Sequence, residues 1–310
     1  MKIALLIGIL CLGFLLLVKG SVFFVDGSAG IATRFGIPQL IIGLTIVAMG
    51  TSAPEAAVSI TAASRGSADI AIGNIVGSNI LNVFIILGIA AVIVAMKVEK
   101  STIKYEIPYM IFCSVILLLM GLDGKVGILE GVLLWGAFLL YLAYLFIHAK
   151  KNKEETTQGK TRKLWLELLF IAGGMGAIIL GSKLAVDSAT EMARIIGVSE
   201  RYIGLTIVAL GTSLPELFTS VNAARKGNAD IAIGNIVGSN IFNILFVIGT
   251  TGLVTPVPFA HKYILDSIVM IAAGIILLLC VIREKKLTRP GGIILLVCYG
   301  LYFAYLCIQP

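Results

Sequence analysis

Gly43-Leu-Thr-Ile-Val-Ala-Met-Gly-Thr-Ser-Ala-Pro-Glu55 returns 161 residues later as Gly204-Leu-Thr-Ile-Val-Ala-Leu-Gly-Thr-Ser-Leu-Pro-Glu216, identical at 11 of 13 positions. A second block, Ala68-Asp-Ile-Ala-Ile-Gly-Asn-Ile-Val-Gly-Ser-Asn-Ile-Leu-Asn82, recurs at the same offset as Ala229 to Asn243 with 14 of 15 residues kept. Weaker echoes, Gly20 with Gly181, Asp26 with Asp187 and Gly36 with Gly197, carry the duplication back to the first apolar stretch. A fixed internal period decides the architecture before any residue-level reading. The flanking apolar stretches have diverged almost completely while the two blocks have not, and that contrast points to a shared task rather than to recent copying.

Of the 310 residues 58% are hydrophobic and 13% charged, with a mean hydropathy of +1.03. Soluble domains carry about 25% charged residues, so this chain is read as living in lipid. Ten spans are expected, near 3–25, 39–64, 70–96, 105–121, 127–148, 163–185, 200–224, 231–254, 262–282 and 291–309. The fold class is therefore an all-α membrane protein with no soluble domain left over. Five spans per copy is an odd number, so the second copy enters the bilayer from the opposite side. Inverted repeats of this kind place substrate at the midplane, where interrupted helices meet. The units are expected at 1–148 and 163–310, joined by a linker at 149–162.

A formal charge of +7 raises the prospect of an acidic partner or nucleic acid, but in a membrane protein the side on which each charge lies matters more than the sum. With the N-terminus outside, the inward loops collect 16 Lys and Arg and the outward side six. Both termini are thus predicted to face out, with the central linker cytoplasmic and the plasma (inner) membrane as location. The partners expected are the lipid bilayer and transported ions, with no nucleic acid and no obligate protein partner. Cys11, Cys113, Cys280, Cys298 and Cys307 show no metal-type spacing and read as small buried hydrophobes. The first apolar run ends in Val18-Lys19-Gly20-Ser21, without the small-residue site of a cleaved leader, and it has a counterpart in the second copy. It is expected to be a structural span.

Glu55 and Glu216 fall inside spans, where an ionised carboxylate costs at least a few kcal/mol. Neither block contains Lys or Arg, so the natural counter-ion is a bound cation or a proton. Pro54 and Pro215 lack the N–H donor and break the helix, freeing carbonyls near Gly50 and Gly211. Such groups survive in a membrane only against protein or lining a cavity. Thr51, Ser52, Thr212 and Ser213 add hydroxyls, giving hard oxygen donors that suit Na⁺ or Ca²⁺. In the second block Gly73 with Gly77, and Gly234 with Gly238, are small-residue pairs for close helix packing. Ser78 and Asn82 stand four apart on one helical face, as do Ser239 and Asn243, and offer oxygens to the same shell. Asn74, Asn79, Asn235 and Asn240 are open to two readings, ligand or interhelical hydrogen-bond partner. Two carboxylates balance one divalent or two monovalent ions but not both loads together, which is the mutual exclusion an exchanger requires.

These motifs, G-T-S-x-P-E followed by G-N-I-V-G-S-N-I-x-N in two inverted halves, resemble the alpha-repeats of the sodium/calcium exchanger family within the calcium/cation antiporter superfamily. The resemblance spans nearly the whole chain and is to the compact prokaryotic type, without a large cytoplasmic calcium-sensing domain. It implies ten transmembrane helices as two inverted five-helix repeats and Na⁺/Ca²⁺ exchange by alternating access. It implies Glu55 and Glu216 as shared carboxylate ligands, with Thr51, Ser52, Thr212, Ser213 and the carbonyls of Ala48 and Ala209 adding oxygens. Ser78, Asn82, Ser239 and Asn243 then line the same site. Some relatives carry Asp where Asn243 stands, a change associated with K⁺ dependence or an extra protonatable group, so Asn243 argues against K⁺ dependence. No cofactor is implied beyond the transported ions.

The alternative is a Ca²⁺/H⁺ antiporter using the same acids as proton carriers. A passive channel is disfavoured because a site within one inverted-repeat chain fits alternating access better than an axial pore. An enzyme is disfavoured because His148 and His261 fall in loops or at span ends and no nucleophile or HExxH motif occurs.

Overall fold

The computed structural model describes residues 2–65, 68–151, 162–197 and 209–308. In chain order the helices are α1 (Lys2–Phe35), α2 (Gln39–Thr51), α3 (Ala53–Ser64), α4 (Ile70–Ile93), α5 (Thr102–Gly121) and α6 (Ile128–Lys151). The second copy supplies α7 (Leu164–Ile195), α8 (Ala209–Thr212), α9 (Leu214–Arg225), α10 (Ala229–Val254), α11 (Lys262–Ile282) and α12 (Arg289–Ile308). Among the described residues eight helices are long and apolar enough to cross a bilayer, and α2 with α3 makes a ninth span bent by 48°. The expected span at 200–224 begins outside the described residues; its described part is α8 and α9. Most of the predicted linker, 152–161, also lies outside them.

The first and sixth spans are longer than expected. At 34 and 32 residues, α1 and α7 run well past 25 and 185, and at 1.5 Å per residue each approaches 50 Å, against a hydrocarbon core of about 30 Å. Neither segment holds a proline, so the helix continues through the polar residues beyond its apolar run. Each stops only at a glycine in the left-handed region, Gly36 (φ 63°) and Gly197 (φ 84°), which explains that echo in the sequence.

The duplicated helices α1 and α7 pack antiparallel. A Cβ on Gly13 would lie 2.8 Å from the Ala185 amide, one on Gly20 2.9 Å from the Gly174 carbonyl, and one on Gly27 2.8 Å from the Glu167 carbonyl. Rising numbers on one helix thus meet falling numbers on the other, so the copies are inverted. Without a hydrophobic force between helices in lipid, this close approach of backbones is what joins them. A Gly20→Val chain is expected to lower the unfolding midpoint in detergent by several degrees, since overpacking against backbone costs about 1–3 kcal/mol. An unchanged midpoint in a thermal aggregation assay would count against so tight a contact.

At the centre lie α4 and α10, with 78% and 94% of their most apolar windows buried, against 17–33% for the other single-helix spans. The other single-helix spans, α1, α5, α6, α7, α11 and α12, therefore form the lipid-facing shell. Gly131 of α6 meets the Gly249 backbone of α10, and its counterpart Gly292 of α12 meets Gly88 of α4, so the outer helices dock on the core through matched small residues. Two short antiparallel ladders, unpredicted from the sequence, tie the copies together. Met96–Lys97 pairs with Lys286–Leu287, and Lys125–Val126 with Val257–Pro258.

The cysteine reading needs correction: Cys113 is buried and Cys280 and Cys298 are half-buried, but Cys11 and Cys307 are exposed on α1 and α12. A small apolar side chain facing lipid costs nothing that burial would recover. Gly234 and Gly238 pack against the backbone of α2 as expected, at 2.9 Å from Leu40 O and 2.8 Å from Leu44 O for an added Cβ, and Gly73 faces Tyr263. Gly77 has no neighbour within 4 Å among the described residues.

Candidate functional site

The break that proline imposes falls two residues before the proline itself. Ser52 (φ −84°, ψ 6°) separates α2 from α3, and Ser213 (φ −89°, ψ 3°) separates α8 from α9. Pro54 and Pro215 then occupy the first turn of the following helix, where a missing N–H costs nothing. Glu55 and Glu216 follow in that same turn, where the positive end of the helix favours a carboxylate. Both are completely buried.

The two copies interlock around these acids. Ser52 Oγ donates to Glu216 Oε1 at 2.8 Å, and its counterpart Ser213 Oγ reaches Glu55 Oε1 at 3.5 Å. Ser78 Oγ lies 3.4 Å from Glu55 Oε1 and 3.0 Å from Ser213 Oγ, drawing α4 into the group. Ser239 Oγ approaches Ala48 O at 3.4 Å, so that carbonyl faces α10. Thr51 Oγ1 donates to Asn235 Oδ1 at 2.9 Å. Thr51, Ser52, Ser78, Ser213 and Ser239 are all buried. Thr212 is half-buried and Ala209 opens α8.

The asparagines divide by role. Asn79 Nδ2 donates to Asn240 O and Asn240 Nδ2 to Asn79 O, each at 3.1 Å. Asn82 Nδ2 donates to Asn240 Oδ1 at 2.9 Å and Asn243 Nδ2 to Asn79 Oδ1 at 3.0 Å. Four bonds thus close a twofold knot where α4 crosses α10. Asn74 Nδ2 donates to Ser59 Oγ at 3.0 Å and Asn235 Nδ2 to Ser220 Oγ at 2.9 Å, bracing each block against the helix that carries its Glu. Asn74, Asn79, Asn235 and Asn240 are therefore interhelical partners, which resolves the two readings left open. Asn82 and Asn243 each begin a π-helical turn, a local widening common at functional sites.

Among the buried oxygens without a partner are Glu55 Oε2 and Glu216 Oε2 of the two acids and Asn82 Oδ1 and Asn243 Oδ1 of the second blocks. They form two twofold-related pairs. Among the described residues no ion pair reaches either Glu. Nor do those residues hold a cluster of three His, Cys, Asp or Glu; what exists instead is two carboxylates among neutral oxygens, the donor set of a hard cation. The Gly211 carbonyl freed by Pro215 is held against protein, accepting from Ser182 Oγ at 2.7 Å. A hydroxyl on the packed face of α7 supplies the donor that proline removed. Gly20-Ser21 and Gly181-Ser182 stand at the repeat offset, a signal that marks this serine pair. Ser59 and Ser220, four residues after each Glu and so on the same helical face, are marked in the same way.

The sodium/calcium exchanger protein family model matches the chain twice, over residues 5–147 and 166–308. The chain belongs to the sodium/calcium exchanger family. As a family member it is a membrane transporter and not an enzyme. The exchanger fold is shared with the solved sodium-calcium exchanger NCX_Mj soaked with 2.5 mM Na⁺ and 10 mM Sr²⁺, at TM-score 0.86 and 32% identity, covering 97% of this chain and 99% of that one. The inner membrane protein YrbG of Escherichia coli is 37% identical over 302 residues, 93% of this chain and 92% of YrbG. The sodium/calcium exchanger MaX1 of Methanosarcina acetivorans is 33% identical over 343 residues, 96% of this chain and 97% of MaX1. An exchanger of this family is thus a multi-pass membrane protein built as a duplicated unit.

Proposed function

We propose that the protein is a Na⁺-driven Ca²⁺ antiporter in which both ions use one midplane site formed by Glu55 and Glu216. The observation that carries this reading is the quartet of donorless buried oxygens, Glu55 Oε2, Glu216 Oε2, Asn82 Oδ1 and Asn243 Oδ1. Buried oxygens without donors are expensive, and bound cations would supply the positive charge that no donor provides. Ser52, Ser78, Ser213, Ser239, Thr51, Thr212 and the carbonyls of Ala48 and Ala209 complete the shell. The paired carboxylates accept a charge of two, as one Ca²⁺ or as two Na⁺. Either load repels the other, so each drives the other's release as the site opens to alternate sides. The relatives NCX_Mj and MaX1, named as sodium–calcium exchangers, support the choice of ions.

The Lys and Arg distribution supports an orientation with both termini outside the plasma membrane and the 149–162 linker inside, between repeats at 1–148 and 163–310. The deciding measurement is ⁴⁵Ca²⁺ uptake into Na⁺-loaded proteoliposomes with the pH gradient collapsed. Uptake is expected to need internal Na⁺ and to stop when it is replaced by choline. Uptake driven only by an imposed pH gradient would overturn the sodium reading in favour of Ca²⁺/H⁺ exchange.

A further inference from the structure

Glu55 and Glu216 are not the only acids buried in the spans. Glu106, one turn into α5, is 1% exposed, and among the described residues no Lys or Arg pairs with it. Its Oε1 accepts from Tyr144 Oη at 2.8 Å, while Oε2 has no donor. Thr102 Oγ1 and Tyr141 Oη are also buried and without a partner. Thr102 and Glu106 are the two ends of the π-helical turn that begins α5, a widening that recurs at functional sites. Four residues apart, they lie on one face of the helix. Tyr141 and Tyr144 come from the last turns of α6. Tyr141 lies close enough to Glu106 for their charges to interact, and it is held by stacking on Tyr109, with ring centroids 5.4 Å apart.

A carboxylate inside a span needs a counter-charge, and a tyrosine hydroxyl does not supply one. One carboxylate balances one positive charge, and hydroxyls are hard neutral donors, so the set suits Na⁺ rather than a divalent or a soft metal. A proton would account for Oε2 alone, whereas Na⁺ gives a ligand role to hydroxyl oxygens that otherwise lie buried and unused. The group sits at the linker end of α5 and α6, where an open cleft of about 360 Å³ is lined in part by Glu99, Ser101, His148 and Asp230. Ser101 precedes Thr102, and the His148 ring lies 5.7 Å from that of Tyr144, so the cleft reaches the residues next to the site. Glu99 and Asp230 place carboxylates at its mouth. The second copy lacks the arrangement: at the repeat offset Glu106 becomes Ser267, and Tyr302, the counterpart of Tyr141, donates to Asp266 at 2.8 Å. Because the copies are inverted, the group faces one side of the membrane only. Both of its walls rest on the core. Helices α5 and α6 pack against the π-helical turn Asn243–Ile248 of α10, and the Phe138 ring of α6 lies 5.9 and 5.5 Å from those of Phe242 and Phe246.

We propose that Glu106, Thr102 and Tyr141 form a second Na⁺ site, entered from the linker face and separate from the Glu55–Glu216 site, whose filling is transmitted through α5 and α6 to the α10 turn that carries Asn243. One ion occupies it, held by the Glu106 carboxylate and the two hydroxyls. It is a site that senses Na⁺ on one side and carries none across, since it has no twin in the inverted copy to open to the other side. Its existence does not rest on the exchange reading, because Na⁺ binds there whether or not Na⁺ is transported.

The test is hydrogen–deuterium exchange of the purified full chain, read by mass spectrometry, with Na⁺ titrated against choline at alkaline pH. Na⁺ is expected to slow exchange in segments 102–109 and 141–148, and with them in 243–248, by roughly tenfold at about ten times its dissociation constant, since local opening must then release the ion. The slowing at 102–109 and 141–148 is expected to persist in the chain carrying both Glu55→Gln and Glu216→Gln, and to vanish in Glu106→Gln. Thr102→Val and Tyr141→Phe keep the shape of the side chain and each remove one oxygen; both are expected to need several times more Na⁺ for the same effect. If Glu106→Gln does not fold, these two variants decide, and an unchanged Na⁺ dependence in both overturns the proposal. So does slowing that choline produces equally, that survives Glu106→Gln, or that is lost when only Glu55 and Glu216 are changed. Protection brought by acid and not by Na⁺ would assign Glu106 a proton and overturn the Na⁺ site. No transport is needed for this readout, so a failure of the exchange reading and a failure of the second site are told apart.

Discussion

Replacing either Glu55 or Glu216 by Gln is expected to abolish Na⁺-dependent Ca²⁺ uptake, with a loss of at least about a hundredfold. Removing one partner from a buried charge pair costs about 3–5 kcal/mol, and each 1.4 kcal/mol is about a factor of ten in affinity. The fold is expected to survive, because Gln keeps the shape of Glu and its carbonyl oxygen still accepts a hydroxyl. At Glu216 that hydroxyl is Ser52 at 2.8 Å, while Glu55 has only the longer contacts to Ser78 and Ser213, at 3.4 and 3.5 Å. Glu216→Gln should therefore remain the better ordered of the two. Uptake into vesicles and calorimetric Ca²⁺ titration of the purified variants give the measure. Normal exchange in both variants would refute the assignment of the site.

Asn243→Asp is expected to make Ca²⁺ uptake strongly dependent on acidity, falling about tenfold or more at alkaline pH and recovering as pH drops. The wild-type amide donates through Nδ2 to Asn79 Oδ1 and leaves Oδ1 without a donor. An ionised carboxylate in its place loses the donor, sets two oxygens against each other, and adds a third buried negative charge that one Ca²⁺ does not balance. A proton on the new carboxyl restores both the charge balance and the bond to Asn79, so the sign of the effect is recovery toward acid. External K⁺ supplying the missing charge is the other route to recovery, and adding it at fixed alkaline pH separates the two. A pH profile identical to the wild type would show that position 243 does not face the ions.

The duplication, the helix breaks before the acids and the serines and asparagines around them were legible because each is a local pattern repeated at one offset. Glu55 and Glu216 stand out by chemistry alone, since ionisable residues inside a span demand partners. The roles of the asparagines were not legible: Asn79 and Asn82 lie on the same motif, and only the crossing of α4 and α10 decides that one braces and the other leaves an oxygen bare. The fate of the Gly211 carbonyl was hidden for the same reason, as its donor, Ser182, comes from a helix about thirty residues upstream. The lengths of α1 and α7 were misread because hydropathy ends where the polar residues begin, whereas a helix ends only at a residue such as Gly36 that turns the chain. The uneven docking of α1 and α7 has no trace in the sequence at all. Both copies carry an acid and a base at the matching positions, yet among the described residues Lys226 pairs with Asp26 and no ion pair joins Arg65 to Asp187.

The knot at the crossing of α4 and α10 pairs Asn79 with Asn240, each residue meeting its own duplicate. Contacts of that form are isologous, the kind by which two identical subunits join about a twofold axis. A half-length chain inserted in both orientations would dimerise through the same four bonds without changing one of them. The centre of this protein thus has the form of a homodimer interface contained within one chain.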